Sequence, residues 1–149
     1  MKQFIVKIVT LALFIGSSNL FAADFDWMKG LNKSATANME GYKSKLSSRF
    51  KLAKSQVNFF IKGVRSPADV YMVLRLSEIS GKFPESVLET YQQKKSKGWV
   101  KLAQYVGVKS NSQPFQALKV GHDLKGLEAK QRAFNTPKEK VKKKSKIHV

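Results

Sequence analysis

Between residues 39 and 64, apolar side chains recur every three or four positions. Met39, Tyr42, Leu46, Phe50, Ala53, Val57, Phe60, Ile61 and Val64 make the stripe, and Lys43, Lys45, Arg49, Lys51, Lys54 and Lys62 fill many of the places between them. This period predicts one long amphipathic helix over 38–63, with Gly41 weakening its first turn. Ser66-Pro67-Ala68-Asp69 then reads as a helix start: a capping serine, a proline at the first helical position, and a carboxylate at the third. The helix it opens, over 70–80, is apolar nearly all round (Val70, Tyr71, Met72, Val73, Leu74, Leu76, Ile79), as expected of the buried centre of a domain; Gly81 ends it.

Three shorter helices are predicted after it. Pro84-Glu85 opens one with Val87, Leu88 and Tyr91 inward, running out in Lys94-Lys95-Ser96-Lys97-Gly98. Trp99, Leu102, Ala103 and Val106 repeat the spacing up to Gly107. A last turn around 114–119 offers Phe115 and Leu118. Before the long helix, Phe25, Trp27, Met28 and Leu31 suggest a loose helical turn, followed by a polar linker over 32–38. No stretch alternates with the period of two that a half-buried strand needs. The expected fold class is all-α. We expect a small multi-helix domain with one long amphipathic N-terminal helix, a helix-turn-helix-like set of short helices, and a disordered basic tail.

The first residues carry a different pattern. Lys2 and Lys7 flank a short positive start, 8–15 is apolar except for Thr10, and Leu20-Phe21-Ala22-Ala23 offers small residues for a peptidase. This predicts a secretory signal peptide over 1–22, cleaved after Ala22 or Ala23; the apolar run is shorter than the ~20 residues a membrane span needs. The expected layout is then an N-terminal segment over 23–37, a helical domain over 38–122 and a basic tail over 123–149, in a protein exported to the periplasm or beyond. The chain has no cysteine, which excludes lipoprotein anchoring and disulfides, so packing alone must hold the fold.

Charge sharpens the reading. The chain has 28 Lys and Arg against 10 Asp and Glu, a formal net charge of +18. The excess is shared: residues 24–124 carry 17 basic and eight acidic side chains, and residues 125–149 nine and two. A like-charge run over 138–146, broken only by Glu139, predicts disorder. A field of this sign attracts polyanions.

Residues 66–119 resemble a group of uncharacterised exported bacterial small helical proteins. The shared pattern is Ser66-Pro67-Ala68-Asp69, Ser80-Gly81-Lys82 with Pro84-Glu85 and Val87, then Lys97-Gly98-Trp99, Leu102-Ala103, Val106-Gly107-Val108-Lys109, and Phe115 with Ala117-Leu118-Lys119. Val100 departs from it where a small residue or a second aromatic is usual, and Ser110-Asn111 replaces a proline-glycine turn. The resemblance implies a small helical domain and no known activity.

Candidate chemistry is sparse. His122 and His148 are the only histidines, neither beside a serine–carboxylate arrangement, and no paired His or Cys stands at metal-ligand spacing. No cofactor is expected. Glu78, Glu85 and Glu89 could supply a carboxylate pair for glycoside hydrolysis, but in a lysine-rich helical stretch they read better as solvated surface groups. Ser77 with Gly81, and Ala103 with Gly107, place a small residue four before a glycine turn, the mechanical need of a helix-turn-helix. An exported protein makes specific DNA reading an odd use of it.

The expectation is therefore a non-enzymatic protein of the cell envelope. Lys43, Lys51 and Lys54 on the long helix, with Lys138, Lys140, Lys142, Lys143, Lys144 and Lys146 in the tail, would contact anionic lipid headgroups, lipopolysaccharide, wall polymers or extracellular nucleic acid. Two alternatives stand beside it: a protein–protein module docking through the apolar stripe or Trp99 onto an envelope or secretion partner, and a membrane-active secreted protein.

Overall fold

The computed structural model describes residues 24–124, and every regular element among them is helical. In chain order these are α1 (Trp27–Ala37), α2 (Met39–Phe50), α3 (Lys54–Gly63), α4 (Pro67–Ser80), α5 (Pro84–Lys94), a 3-10 turn (Lys95–Lys97), α6 (Trp99–Tyr105) and α7 (Gln113–Val120). The signal peptide expected over 1–22 and the tail lysines from Lys138 to the end lie outside the described residues. No helix among those described is long and apolar enough to cross a membrane.

α4 is the axis of the domain. Val70, Tyr71, Met72, Val73, Leu74 and Leu76 are all buried, because α1, α3, α5 and α7 each pack against it. A helix apolar on every side finds its place only where neighbours cover every side. The surrounding helices each give one stripe to it: Leu31 and Ala35 from α1, Val57 and Phe60 from α3, Val87, Leu88 and Tyr91 from α5, Phe115 and Leu118 from α7.

Two sequence expectations change here. The long helix over 38–63 is two helices. Lys51 adopts the left-handed conformation (φ 56°, ψ 39°), and the chain turns through Leu52 and Ala53 before α3 starts. The break is stabilised locally. Leu52 N–H donates to Ser47 O (3.2 Å), the Ser47 hydroxyl donates to Leu52 O (2.6 Å), and Gln56 Oε1 accepts from Ala53 N–H (2.9 Å). Turning lets both Tyr42 and Leu46 of α2 and Val57 and Phe60 of α3 reach one core, which a straight rod of that length could not do.

Where a loose turn and a polar linker were expected, α1 is continuous to Ala37 and packs on α4 and α2. Asn32, in the middle of the supposed linker, accepts from Ala68 N–H through Oδ1 (2.7 Å) and so satisfies an orphan amide of α4's first turn. Ser66, the expected cap, makes no side-chain cap bond. Asp69 likewise turns inward: it is buried and accepts a hydrogen bond from the Tyr91 hydroxyl (2.6 Å), which itself accepts from Arg65 N–H (3.2 Å).

The same corner occurs three times. Leu46-Ser47 precedes left-handed Lys51, Leu76-Ser77 precedes Gly81 (φ 70°), and Leu102-Ala103 precedes Gly107 (φ 89°). At each, the apolar residue is buried, and the carbonyl of the small residue accepts an amide from the turn: Leu52, Gly81 (2.9 Å) and Val108 (2.8 Å). The first two corners also share a serine hydroxyl that donates across the turn, from Ser47 to Leu52 O and from Ser77 to Lys82 O (both 2.6 Å).

Candidate anion-binding surface

Of the candidate lysines of the folded part, Lys51 and Lys54 sit at the first corner and Lys43 lies two turns before it on α2. Lys43 lies on α2 and pairs with Glu40 (2.8 Å), which holds the Glu40 carboxyl below its ordinary range, first through the hydrogen bond and then through the charge. Lys51 is the left-handed turn residue and Lys54 the first residue of α3; both are exposed. The helix break therefore prevents the three from lining one helix face. The corner joins the negative end of α2, at Lys51, to the positive end of α3, at Lys54, so the two helix dipoles oppose each other there and the lysines supply the net charge.

A second basic region escaped the sequence reading. From 90 to 122 the chain holds six lysines and no Asp or Glu, whereas 24–89 holds seven acidic residues among eleven basic ones. Lys94 ends α5, Lys95 and Lys97 lie in the 3-10 turn, Lys101 is on α6 and Lys109 in the turn to α7; Lys119 on α7 pairs with Asp24 (3.0 Å). Lys94 Nζ stands 5.6 Å from the ring centroid of Tyr105, a residue 53% exposed. The signal was in the sequence, but charge summed on either side of residue 125 conceals it. Part of this cluster has a purely structural use. Lys94 and Lys95 meet the negative end of α5 and stabilise it. Lys101 and Lys109 have no such helix end to serve.

Trp99 is half-buried, with its ring stacked on Tyr91 (centroids 5.4 Å apart, planes 20° apart) and packed against the core. Larger exposed apolar groups occur elsewhere: Phe83 at the turn into α5 is 78% exposed, and Phe59 on α3 is 54% exposed.

A polar knot lies on the other side of α4. Arg49 donates from Nη1 and Nη2 to the two Glu78 oxygens (2.8 and 3.2 Å) and from Nε to Asp123 Oδ2 (2.6 Å). Arg75 also pairs with Glu78, and the Tyr71 hydroxyl donates to Asp123 Oδ1 (2.9 Å). Burial is the largest influence on Asp123 and opposes its ionisation. The Arg49 and Tyr71 hydrogen bonds, with the nearby Arg49 and Arg75 charges, outweigh it and hold the carboxyl below the usual range. Burial also pushes the Tyr71 hydroxyl up to about 12. The knot ties the chain after α7 to α2 and α4, and Leu124 beyond it is buried.

Beside the knot is a cavity of about 470 Å³ lined in part by Asp26, Trp27, Ser34, Lys45 and His122. Ser34 is engaged within its own helix, donating to Leu31 O (3.0 Å), so it is not activated by a base in this state. The Trp27 indole N–H donates to Leu118 O (2.9 Å), and the ring stands against both Tyr71 (5.5 Å) and His122 (5.2 Å). Of the three glutamates weighed for hydrolysis, Glu78 belongs to the knot and Glu89 accepts from Gln93 Nε2 (3.3 Å). Among the described residues no three His, Cys, Asp or Glu side chains gather as a metal site would need.

No family model, curated protein or solved structure gives a significant match to this chain. The functional reading therefore rests on the chain's own chemistry.

Proposed function

We propose that this is an exported, non-enzymatic basic protein that binds or organises anionic components of the cell envelope by electrostatic contact. One observation carries the reading: the positive excess belongs to the folded domain as well as to the chain end, with 17 basic against eight acidic residues over 24–124. A solubilising tail alone would not need a basic domain behind it. Within the domain, the acidic residues are partly consumed by internal pairs (Glu78 and Asp123 with Arg49, Asp24 with Lys119), while Lys51, Lys54, Lys62, Lys95, Lys97, Lys101 and Lys109 are exposed. In this reading Lys43, Lys51 and Lys54 and the tail residues Lys138, Lys140, Lys142, Lys143, Lys144 and Lys146 contribute to the contact. Cell fractionation tests it directly. The protein should sediment with the envelope fraction and be released by a salt wash, because exposed charge contacts are screened. Recovery in the cytosol, or retention in the envelope regardless of salt, would count against it.

The exposed Phe83 and Phe59 favour one second reading, a protein–protein module of an envelope or secretion assembly. It predicts a partner that survives high salt in a pull-down and is lost with Phe83→Ala, a substitution that removes no core contact.

A further inference from the structure

Resting on that reading, we infer that the acid-free third of the domain, which carries Lys94 beside Tyr105 together with Lys95, Lys97, Lys101 and Lys109, is the face that adsorbs to a bilayer leaflet rich in anionic lipid phosphate. Three observations carry it. First, the charges are segregated along the chain: 90–122 holds six lysines and no carboxylate of its own. Lys119, held by Asp24, falls outside the proposed face.

Second, the acid-free segment forms contiguous structure. The end of α5, the 3-10 turn and α6 pack on one another, and Lys94 reaches the Tyr105 ring. An exposed tyrosine beside lysines is the pairing that settles at a membrane interface, with the ring at headgroup level and the ammonium groups on phosphates. Third, the cations here are all lysine. Diffuse attraction to a charged sheet needs only such point charges, and the exposed ring beside them is what favours a lipid surface over a nucleic acid.

The test uses the protein in whatever form the cell accumulates it, with vesicles of phosphatidylglycerol and phosphatidylcholine at low salt. Each lysine near an anionic leaflet contributes about fivefold in affinity. Losing four of them, the combined Lys94→Gln, Lys95→Gln, Lys97→Gln, Lys101→Gln variant should therefore bind roughly several hundredfold more weakly. A variant losing the same charge elsewhere (Lys29→Gln, Lys33→Gln, Lys62→Gln, Lys82→Gln) should weaken by less than about threefold. Because the chain has no cysteine, an environment-sensitive dye on Gln104→Cys and on Thr36→Cys, an exposed position on α1, which carries none of the proposed contact lysines, gives a second measurement that leaves every lysine in place. Its emission should shift on vesicle binding at 104 and not at 36. Equal weakening of both lysine variants, or equal dye shifts, overturns this face while leaving the envelope-binding reading intact. No vesicle binding by the unmodified protein overturns the lipid proposal, whereas the envelope-binding reading falls only if the salt-released envelope fraction is also absent. Binding of duplex DNA that depends on the same four lysines, without a dye shift on vesicles, assigns the face to nucleic acid and overturns the lipid proposal.

Discussion

Asn32 is the residue whose role is hardest to see locally. It stands 36 positions from the amide it caps, and Ser66, which has every local mark of a cap, leaves that amide alone. Asn32→Ala should lower stability by about 1 kcal/mol, since it strands a buried N–H at the start of the central helix. Ser66→Ala should cost less than about 0.5 kcal/mol. Urea unfolding midpoints at constant slope distinguish the two. Asp69 teaches the same lesson: a carboxylate at the third helical position suggested a helix-end role, and the Tyr91 hydroxyl, 22 residues away, binds it instead. Local rules name the residue types a helix start favours; which of them is used depends on what folds back against it.

At the scale of elements, period and breakers made α4, α5, α6 and α7 legible, because each begins or ends at a proline or glycine whose backbone preference is strong. The break between α2 and α3 was not legible, since its turn residue is lysine and the apolar spacing continues across it. The repeated corner supplies the missing signal: Leu46-Ser47 stands before Lys51 as Leu76-Ser77 stands before Gly81. A non-glycine residue held left-handed costs about 1–2 kcal/mol. Lys51→Gly should therefore raise stability by about 1 kcal/mol in thermal or urea unfolding, while removing one candidate anion contact. Destabilisation by that substitution would mean the lysine side chain itself holds the corner.

For the molecule as a whole, the pH dependence follows from buried hydroxyls and from the paired carboxylates, of which Asp123 is the more buried and Glu40, held by Lys43, is exposed. Tyr42, Tyr71 and Tyr91 all have their ionisation pushed upward, chiefly by burial. A raised folded value means the stabilisation is complete below the unfolded value of about 10 and is lost as pH climbs through the folded one. For Tyr71 that lies at about 12. Asp123 is depressed, so its contribution is present above about 4 and disappears as acid protonates it. Unfolding midpoints across pH should show a plateau between these limits, an alkaline loss beginning near pH ~10, and a separate acid loss that Asp123→Asn reduces.

The charge distribution is the other whole-molecule property. It was legible as a total, while the acid-free run over 90–122 was hidden by summing the charge on either side of residue 125. This charge is what would bind the protein to anionic surfaces. The most direct test is the salt dependence of its dissociation constant for anionic vesicles. If several lysines each displace a counterion or meet a headgroup, affinity should fall by at least about tenfold between roughly 50 and 200 mM salt. An affinity that stays constant over that range, or no binding at the lowest salt, would contradict it.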